Sequence, residues 1–252
     1  MPHRRLADQV KAPTIEEVGL YINGIFVRAP VEFTVLQAAR AGGVEIPTLC
    51  YHADLPSEGH CRLCVVEVGE HPRTRLVNAC TYPVEAKLWV QTHSEKVLHA
   101  RRIVLELLLA RTPKAKLIQD LAAQHGVHET RFYVDDPEEL CILCGLCVRT
   151  CREIVGVSAI SMAARTPGKH VATPFLEASE ACIGCGSCAF ICPTNVIPYT
   201  EKDGIRTIWG RDFELQACTV CGNYIEPKAQ LEHWAHITGD PVDTFFVCRD
   251  CR

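Results

Sequence analysis

Cys141-Ile142-Leu143-Cys144-Gly145-Leu146-Cys147-Val148-Arg149-Thr150-Cys151 and, further along, Cys182-Ile183-Gly184-Cys185-Gly186-Ser187-Cys188-Ala189-Phe190-Ile191-Cys192 share one spacing, C-x2-C-x2-C-x3-C. A run repeated in this way implies a domain with internal pseudo-twofold symmetry. Three thiols evenly spaced on a loop, with a fourth behind them, form the ligand pattern of a 4Fe-4S cluster. In the two-cluster form, the fourth cysteine of each run serves the other cluster. On that rule Cys141, Cys144, Cys147 and Cys192 hold one 4Fe-4S cluster, and Cys182, Cys185, Cys188 and Cys151 hold a second. Gly145, Gly184 and Gly186 let the backbone pass close to the sulfides without a side chain. Pro193 follows the second run, whereas Arg152 takes that place in the first. A structural zinc in each run is the competing reading, but tetrahedral zinc sites seldom draw three evenly spaced thiols from one loop.

The chain has 252 residues and 16 cysteines, and these divide into four sets of four with none left over. A disulfide framework would also use an even number, but it belongs to secreted chains, and C-x-x-C pairs close loops too short to serve as good bridges. In the first set, Cys50, Cys61, Cys64 and Cys80 are spaced C-x10-C-x2-C-x15-C. They follow a hairpin and a helix, which suits a β-grasp 2Fe-2S domain whose cysteine loop aims backbone N–H groups at the sulfurs. A zinc site built on Cys61 and Cys64 is the alternative here. In the last set, Cys218, Cys221, Cys248 and Cys251 have the C-x2-C-x26-C-x2-C spacing of a zinc ribbon, so zinc leads over a further 4Fe-4S cluster or a single iron. With four thiols at hand, His233 and His236 read as surface or supporting residues, not ligands.

The local signals give an α+β order. Leu20–Val27 reads as a hairpin around Asn23-Gly24. Thr34 and Gln37 make a capping box for a short helix that stops at Gly42-Gly43. Val65–Val68 reads as a strand. Ser94 caps a helix to about Ala110, with Val97, Leu98, Ile103, Val104, Leu107 and Leu108 on an apolar face and Arg101, Arg102 and Glu106 opposite. Pro113 ends it, and a second helix from Lys114 to Gln124 stops near Gly126. The predicted organisation is a 2Fe-2S β-grasp ferredoxin-like domain over 18–93 and a helical connector over 94–130. A two-cluster (2×4Fe-4S) ferredoxin domain over 131–200 and a small four-cysteine metal domain over 201–252 follow.

Several function classes are excluded. A hydrophobic content of 48% argues against disorder, and a formal charge of −4 offers no basic field for a nucleic acid. Ile103–Ala110, interrupted by Glu106, falls far short of the roughly 20 apolar residues that cross a bilayer. Met1–Val10 has no apolar core of a Sec signal, and with the thiol chemistry this points to the cytoplasm. Gly184-Cys185-Gly186-Ser187-Cys188-Ala189 matches a dinucleotide fingerprint only by chance, since it sits inside a cluster loop. His52, His60 and His93 have no partners at catalytic spacing and read as solvated or core residues. The expectation is electron transfer, with no substrate-converting site in this chain.

Cys50-Tyr51-His52, Gly59-His60-Cys61-Arg62-Leu63-Cys64, Cys80, Cys141-Ile142-Leu143-Cys144-Gly145-Leu146-Cys147-Val148-Arg149 and Cys182-Ile183-Gly184-Cys185-Gly186-Ser187-Cys188 together resemble the N-terminal iron-sulfur part of the large cluster subunit of complex I. They are also similar to the small diaphorase subunit of NAD-reducing hydrogenases and the front end of iron-only hydrogenases. The resemblance covers about residues 18–200. It departs from the family between Thr81 and Leu140, where no cysteine stands for the usual histidine-and-three-cysteine cluster. It implies docking on an FMN-containing, NAD(P)H-oxidising flavoprotein and on a second catalytic redox subunit, either a hydrogenase or a molybdenum or tungsten enzyme such as a formate dehydrogenase. A scaffold of zinc modules and a freely diffusing ferredoxin-like carrier are the competing functions.

Overall fold

The computed structural model describes residues 16–165 and 168–252; Met1–Val10, read above as lacking a signal sequence, lies outside them. The chain groups into two units. One comprises the described residues up to Thr48 together with Arg62–Ile103, and the other comprises Leu49–Cys61 and Val104–Arg252. Among the described residues, no helix is long and apolar enough to cross a membrane.

The first unit is built on a mixed five-stranded sheet. Strands β1 (Glu17–Ile22) and β2 (Ile25–Pro30) form the hairpin expected around Asn23-Gly24. Both turn residues have positive φ, 52° and 82°, as a two-residue hairpin turn requires. The sheet order is β2-β1-β5-β3-β4, with β3 (Val65–Val68), β4 (Arg75–Asn78) and β5 (Trp89–Gln91), and only the β1–β5 pair is parallel. Helix α1 (Val35–Ala41) begins at the predicted capping box. Thr34 N–H donates to Gln37 Oε1 at 2.8 Å, and Gln37 N–H donates to Thr34 Oγ1 at 3.4 Å. Its Val35, Leu36, Ala38 and Ala39 are fully buried and close the core with Leu20, Ile22, Val66 and Val90.

Helix α2 (Glu95–Arg111) starts at Ser94, whose Oγ accepts from Val97 N–H at 3.4 Å. Its polar and apolar faces differ from the sequence expectation. Arg101 is only 1% exposed, on a buried i, i+4 stripe with Val97, Leu105 and Leu109, while Leu107 is 48% exposed. A guanidinium is tolerated there because Nη2 donates to Val65 O at 2.9 Å, which partly satisfies the buried cation.

In the second unit, α3 (Lys116–Gln124) begins two residues later than expected and ends before Gly126, φ 72°. The duplicated cysteine runs then fold alike. Gly145 and Gly186, with φ of 75° and 70°, turn the chain into α4 (Leu146–Arg149) and α5 (Ser187–Phe190). These left-handed positions favour glycine. The runs diverge around their fourth cysteine. Where Arg152 stands, the helix continues as a π-turn over Thr150–Ile154, whereas Pro193, with no N–H to donate, follows the end of α5. Strands β6 (Ser161–Ala163) and β7 (His170–Ala172) pair antiparallel between the two runs. Strands β8 (Tyr199–Lys202), β9 (Ile205–Ile208), β10 (Arg211–Ala217) and β11 (Tyr224–Pro227) form a sheet in the order β11-β10-β9-β8, followed by α6 (Lys228–Thr238). Ile208 and Phe213 of this sheet share one core with Cys147, Cys151, Ile160, Cys188 and Ile197.

Candidate metal and cluster centres

The eight cysteines of the duplicated runs line two cavities, and each cavity draws on both runs. Cys141, Cys144, Cys147 and Cys192 line one of about 230 Å³, together with Glu139 and His170. Cys151, Cys182, Cys185 and Cys188 line the other. The thiols respond to burial and to one another. Burial pushes Cys144 up to about 11 and Cys147 up to about 12, and behind that effect Cys192 raises both Cys141 and Cys144. In the second cavity, burial pushes Cys188 up to about 11, and Cys151 further raises Cys182 and Cys188. Thiols held protonated by burial and mutual repulsion lose those protons when a cationic group binds them. Ala159 N–H donates to Cys151 Sγ at 3.2 Å, and the indole N–H of Trp209 donates to Cys188 Sγ at 3.3 Å. Nothing in the cysteine spacing points to the tryptophan.

The first set has members in each unit. Cys50 and Cys61 belong to the loop Leu49–Cys61 of the second unit, where Cys61 N–H donates to Cys50 Sγ at 3.4 Å. Hydrogen bonding with Cys61, then burial, raises the Cys50 thiol. Gly59, φ 67°, bends this loop. Arg149 of α4 anchors it: Nη1 donates to Pro56 O and Nη2 to Cys50 O, both at 2.6 Å. Cys64 and Cys80 belong to the first unit and are both buried. Cys64 immediately precedes β3, and its carbonyl accepts from Ala79 N–H at 3.0 Å, while Ala79 O accepts from Leu36 N–H at 2.9 Å. The Cys80 turn is thus tied to both β3 and α1. Burial lowers Arg101 to about 10, with the Cys64 thiol acting in the opposite sense.

The last set converges within the second unit. The sulfurs of Cys218, Cys221, Cys248 and Cys251 all lie within 4.8 Å of one another, and those of Cys221 and Cys248 are 3.7 Å apart. Four thiolates on a tetrahedral zinc at about 2.3 Å stand roughly 3.8 Å apart, so a single ion fits. A cubane cluster spreads its ligands over the corners of a larger cage. The backbone N–H of Cys248, followed by those of Cys221 and Val220, draws Cys218 down to about 6. His233 lies outside this group, and its Nε2 sits 2.8 Å from Val155 O. The three histidines near the first set have local partners: His52 pairs with Asp54, His60 with Glu58 at 2.7 Å, and His93 with Thr92 Oγ1 at 2.6 Å.

Comparison with known proteins identifies two iron-sulfur domains in the chain. Residues 16–95 match the family described as a 2Fe-2S iron-sulfur cluster binding domain, and residues 140–196 match the 4Fe-4S dicluster domain. A chain in the crystal structure of the NAD+-reducing [NiFe]-hydrogenase in the H2-reduced state is similar at 30% identity and a TM-score of 0.55. That similarity covers 62% of this chain and 74% of the hydrogenase chain. The chain belongs to this iron-sulfur family. A 2Fe-2S domain precedes a 4Fe-4S dicluster domain in it, and both matched ranges end before Cys218. The NADP-reducing hydrogenase subunit HndD of Solidesulfovibrio fructosivorans is 33% identical over 206 residues, or 70% of this chain and 35% of the relative. The NADH-ubiquinone oxidoreductase 75 kDa subunit of Reclinomonas americana is 30% identical over 223 residues, or 79% of this chain and 31% of the relative. The chain therefore spans about a third of the length of these curated relatives.

Proposed function

We propose that the chain is an electron-relay subunit of a multi-subunit NAD(P)H-linked oxidoreductase. It would pass single electrons between an FMN-containing flavoprotein and a second catalytic subunit, a hydrogenase or a molybdenum or tungsten enzyme. The observation that carries this is the sorting of eight cysteines into two cavities, three from one run and the fourth from the other. That donor set fits two 4Fe-4S clusters with crossed ligation: Cys141, Cys144, Cys147 and Cys192 for one, and Cys182, Cys185, Cys188 and Cys151 for the other. Cys50, Cys61, Cys64 and Cys80 are the proposed ligands of the 2Fe-2S centre, on a β-grasp domain over about 18–93. Once bound, each cluster takes up and releases one electron at a time.

The residues of the chain prepare these sites in three ways. Burial excludes water, N–H donors such as Cys61 and Ala159 stabilise negative charge on sulfur, and Arg149 anchors the Cys50 loop. For Cys218, Cys221, Cys248 and Cys251 we propose a single structural zinc, supported by the close approach of the four sulfurs. A reducing compartment such as the cytoplasm suits so many thiolate ligands.

Anaerobic metal and sulfide analysis tests the reading. It calls for about ten irons and as many acid-labile sulfides per chain, with about one zinc. A chain purified with zinc and no sulfide overturns it. Cobalt substitution at the last site tests the zinc assignment separately, since it calls for the spectrum of one tetrahedral tetrathiolate ion per chain.

A further inference from the structure

The C-terminal sheet reaches into the second cysteine cavity, although the sequence of its strands bears no cluster signature. The β9–β10 turn makes this approach. There Trp209, with φ 52°, lines both cavities and donates its indole N–H to Cys188 Sγ at 3.3 Å. Neighbouring residues hold this turn against the second run. Nη1 of Arg211 donates to Ser179 O, Glu180 O and Cys182 O at 2.7, 2.9 and 2.9 Å. Arg206 Nη1 donates to Gly184 O at 3.0 Å. Phe213 covers Gly184 so closely that a Cβ there would stand 2.6 Å from its ring. At the matching position the first run carries Leu143, also at positive φ, 54°. The second run thus carries a glycine where the sheet lies on it.

The donors to sulfur differ in kind between sites. Cys141, Cys144, Cys147 and Cys182 take backbone N–H groups from Leu143, Leu146, Val148 and Gly184 respectively, and Cys151 takes three, from Ala159, Ile160 and Ser158. Cys188 takes a side-chain donor from a distant strand turn. Reduction adds negative charge to a cluster and its thiolates. An N–H donor to a ligating sulfur therefore stabilises the reduced state more than the oxidised state and raises the potential.

We propose that Trp209 is a potential-setting residue. Resting on the ligand assignment above, its indole N–H raises the potential of the cluster held by Cys151, Cys182, Cys185 and Cys188, and the C-terminal sheet exists in part to present it. The cysteine pattern alone is the same in both runs; this side-chain donor adds to the backbone donors at Cys151 in favouring the second site as the resting place of the electron.

The test is an EPR-monitored redox titration of the full chain, anaerobically reconstituted, as wild type and as Trp209→Phe, which keeps an aromatic ring and removes the donor. The expected result is unchanged iron and sulfide content, a shift of one 4Fe-4S midpoint to more negative potential, and unmoved midpoints for the other two centres. Full cluster content with all midpoints unmoved overturns the proposal while leaving the relay reading intact; wild-type chain that assembles no 4Fe-4S cluster overturns both. Should Trp209→Phe lose iron, pulsed EPR of reduced wild-type chain carrying indole-15N tryptophan decides the matter. A 15N coupling in a 4Fe-4S signal is expected, and its absence overturns the proposal.

Discussion

Arg149 offers the sharpest test of how the first cysteine loop is held. Its side chain is 2% exposed, both Nη atoms donate at 2.6 Å to carbonyls of the Cys50 loop, and Nε has only Glu58 Oε2, at 3.6 Å. Arg149→Met keeps most of the volume and removes every donor. Hydrogen bonds to a charged group contribute about 1.5–3 kcal/mol each, so the two together are worth about 3–6 kcal/mol. Relief of the buried cation's desolvation offsets part of this, leaving a net loss of about 2–4 kcal/mol. If opening of Leu49–Cys61 breaks both bonds, that loss raises the open fraction roughly 30- to 1000-fold. Hydrogen exchange read by mass spectrometry on the cluster-loaded chain measures it directly as lost protection in residues 50–61. The 2Fe-2S signal should also bleach faster under a chelator, with the 4Fe-4S signals retained. Arg149→Lys should recover less than half of the protection, because one ammonium cannot reproduce the planar fork that spans both carbonyls. Unchanged protection of the loop in Arg149→Met would show that the guanidinium does not hold it.

Three further outcomes follow from the same geometry. Cys192→Ser should alter the 4Fe-4S signal that Cys141→Ser also alters and spare the one lost in Cys182→Ser; EPR of the three variants reads the pairing, and a Cys192→Ser spectrum grouping with Cys182→Ser would end the crossed assignment. Glu67 is drawn down to about 2 by hydrogen bonds from Ser94, Thr74 and Lys96. A carboxyl depressed on folding contributes stability that is fully present above its ordinary value near 4.5 and lost as pH falls towards 2. The melting-temperature advantage of wild type over Glu67→Gln should therefore be flat from pH 8 to 5 and shrink as pH falls from about 4.5 towards 2, and an advantage that does not shrink there would count against the contact. Gly184→Ala combines a positive φ of 71° with a clash against Phe213, whereas Gly43→Ala, φ 72°, meets nothing within 4 Å. Strain plus overpacking costs about 2–5 kcal/mol for the former and strain alone about 1–2 kcal/mol for the latter. Thermal melts that rank the two variants the other way would show that the sheet does not press on Gly184.

Much of the architecture is written in short-range chemistry. Asn23-Gly24 makes its hairpin, Thr34 and Gln37 their capping box, and Ser94 the start of α2, because each depends on neighbours within a few residues and needs no distant partner. The cysteine spacings belong to the same class. A turn that brings thiols three positions apart to one side is a local matter, and the spacing rule for duplicated runs anticipates that each cavity draws its fourth cysteine from the other run.

Apart from the late start of α3, the places where the sequence reading and the structure part are contacts between residues far apart in the chain. Periodicity put Arg101 on the wet face of α2, yet its guanidinium is buried under β3, since one carbonyl acceptor in the right place outweighs the pattern. The Cys50 loop groups with the dicluster unit because Arg149, 99 residues away, donates to it. Trp209, Arg206 and Arg211 look like ordinary strand and turn residues until packing lays their sheet across the second run. Cysteine count and spacing thus point to a 2Fe-2S domain and a 4Fe-4S dicluster domain, and leave the metal of the last set open. Which donors surround each sulfur, and so how readily each centre would accept an electron, depends on long-range packing, because hydrogen-bond strength falls off within a few tenths of an ångström and no spacing rule sets a distance that finely.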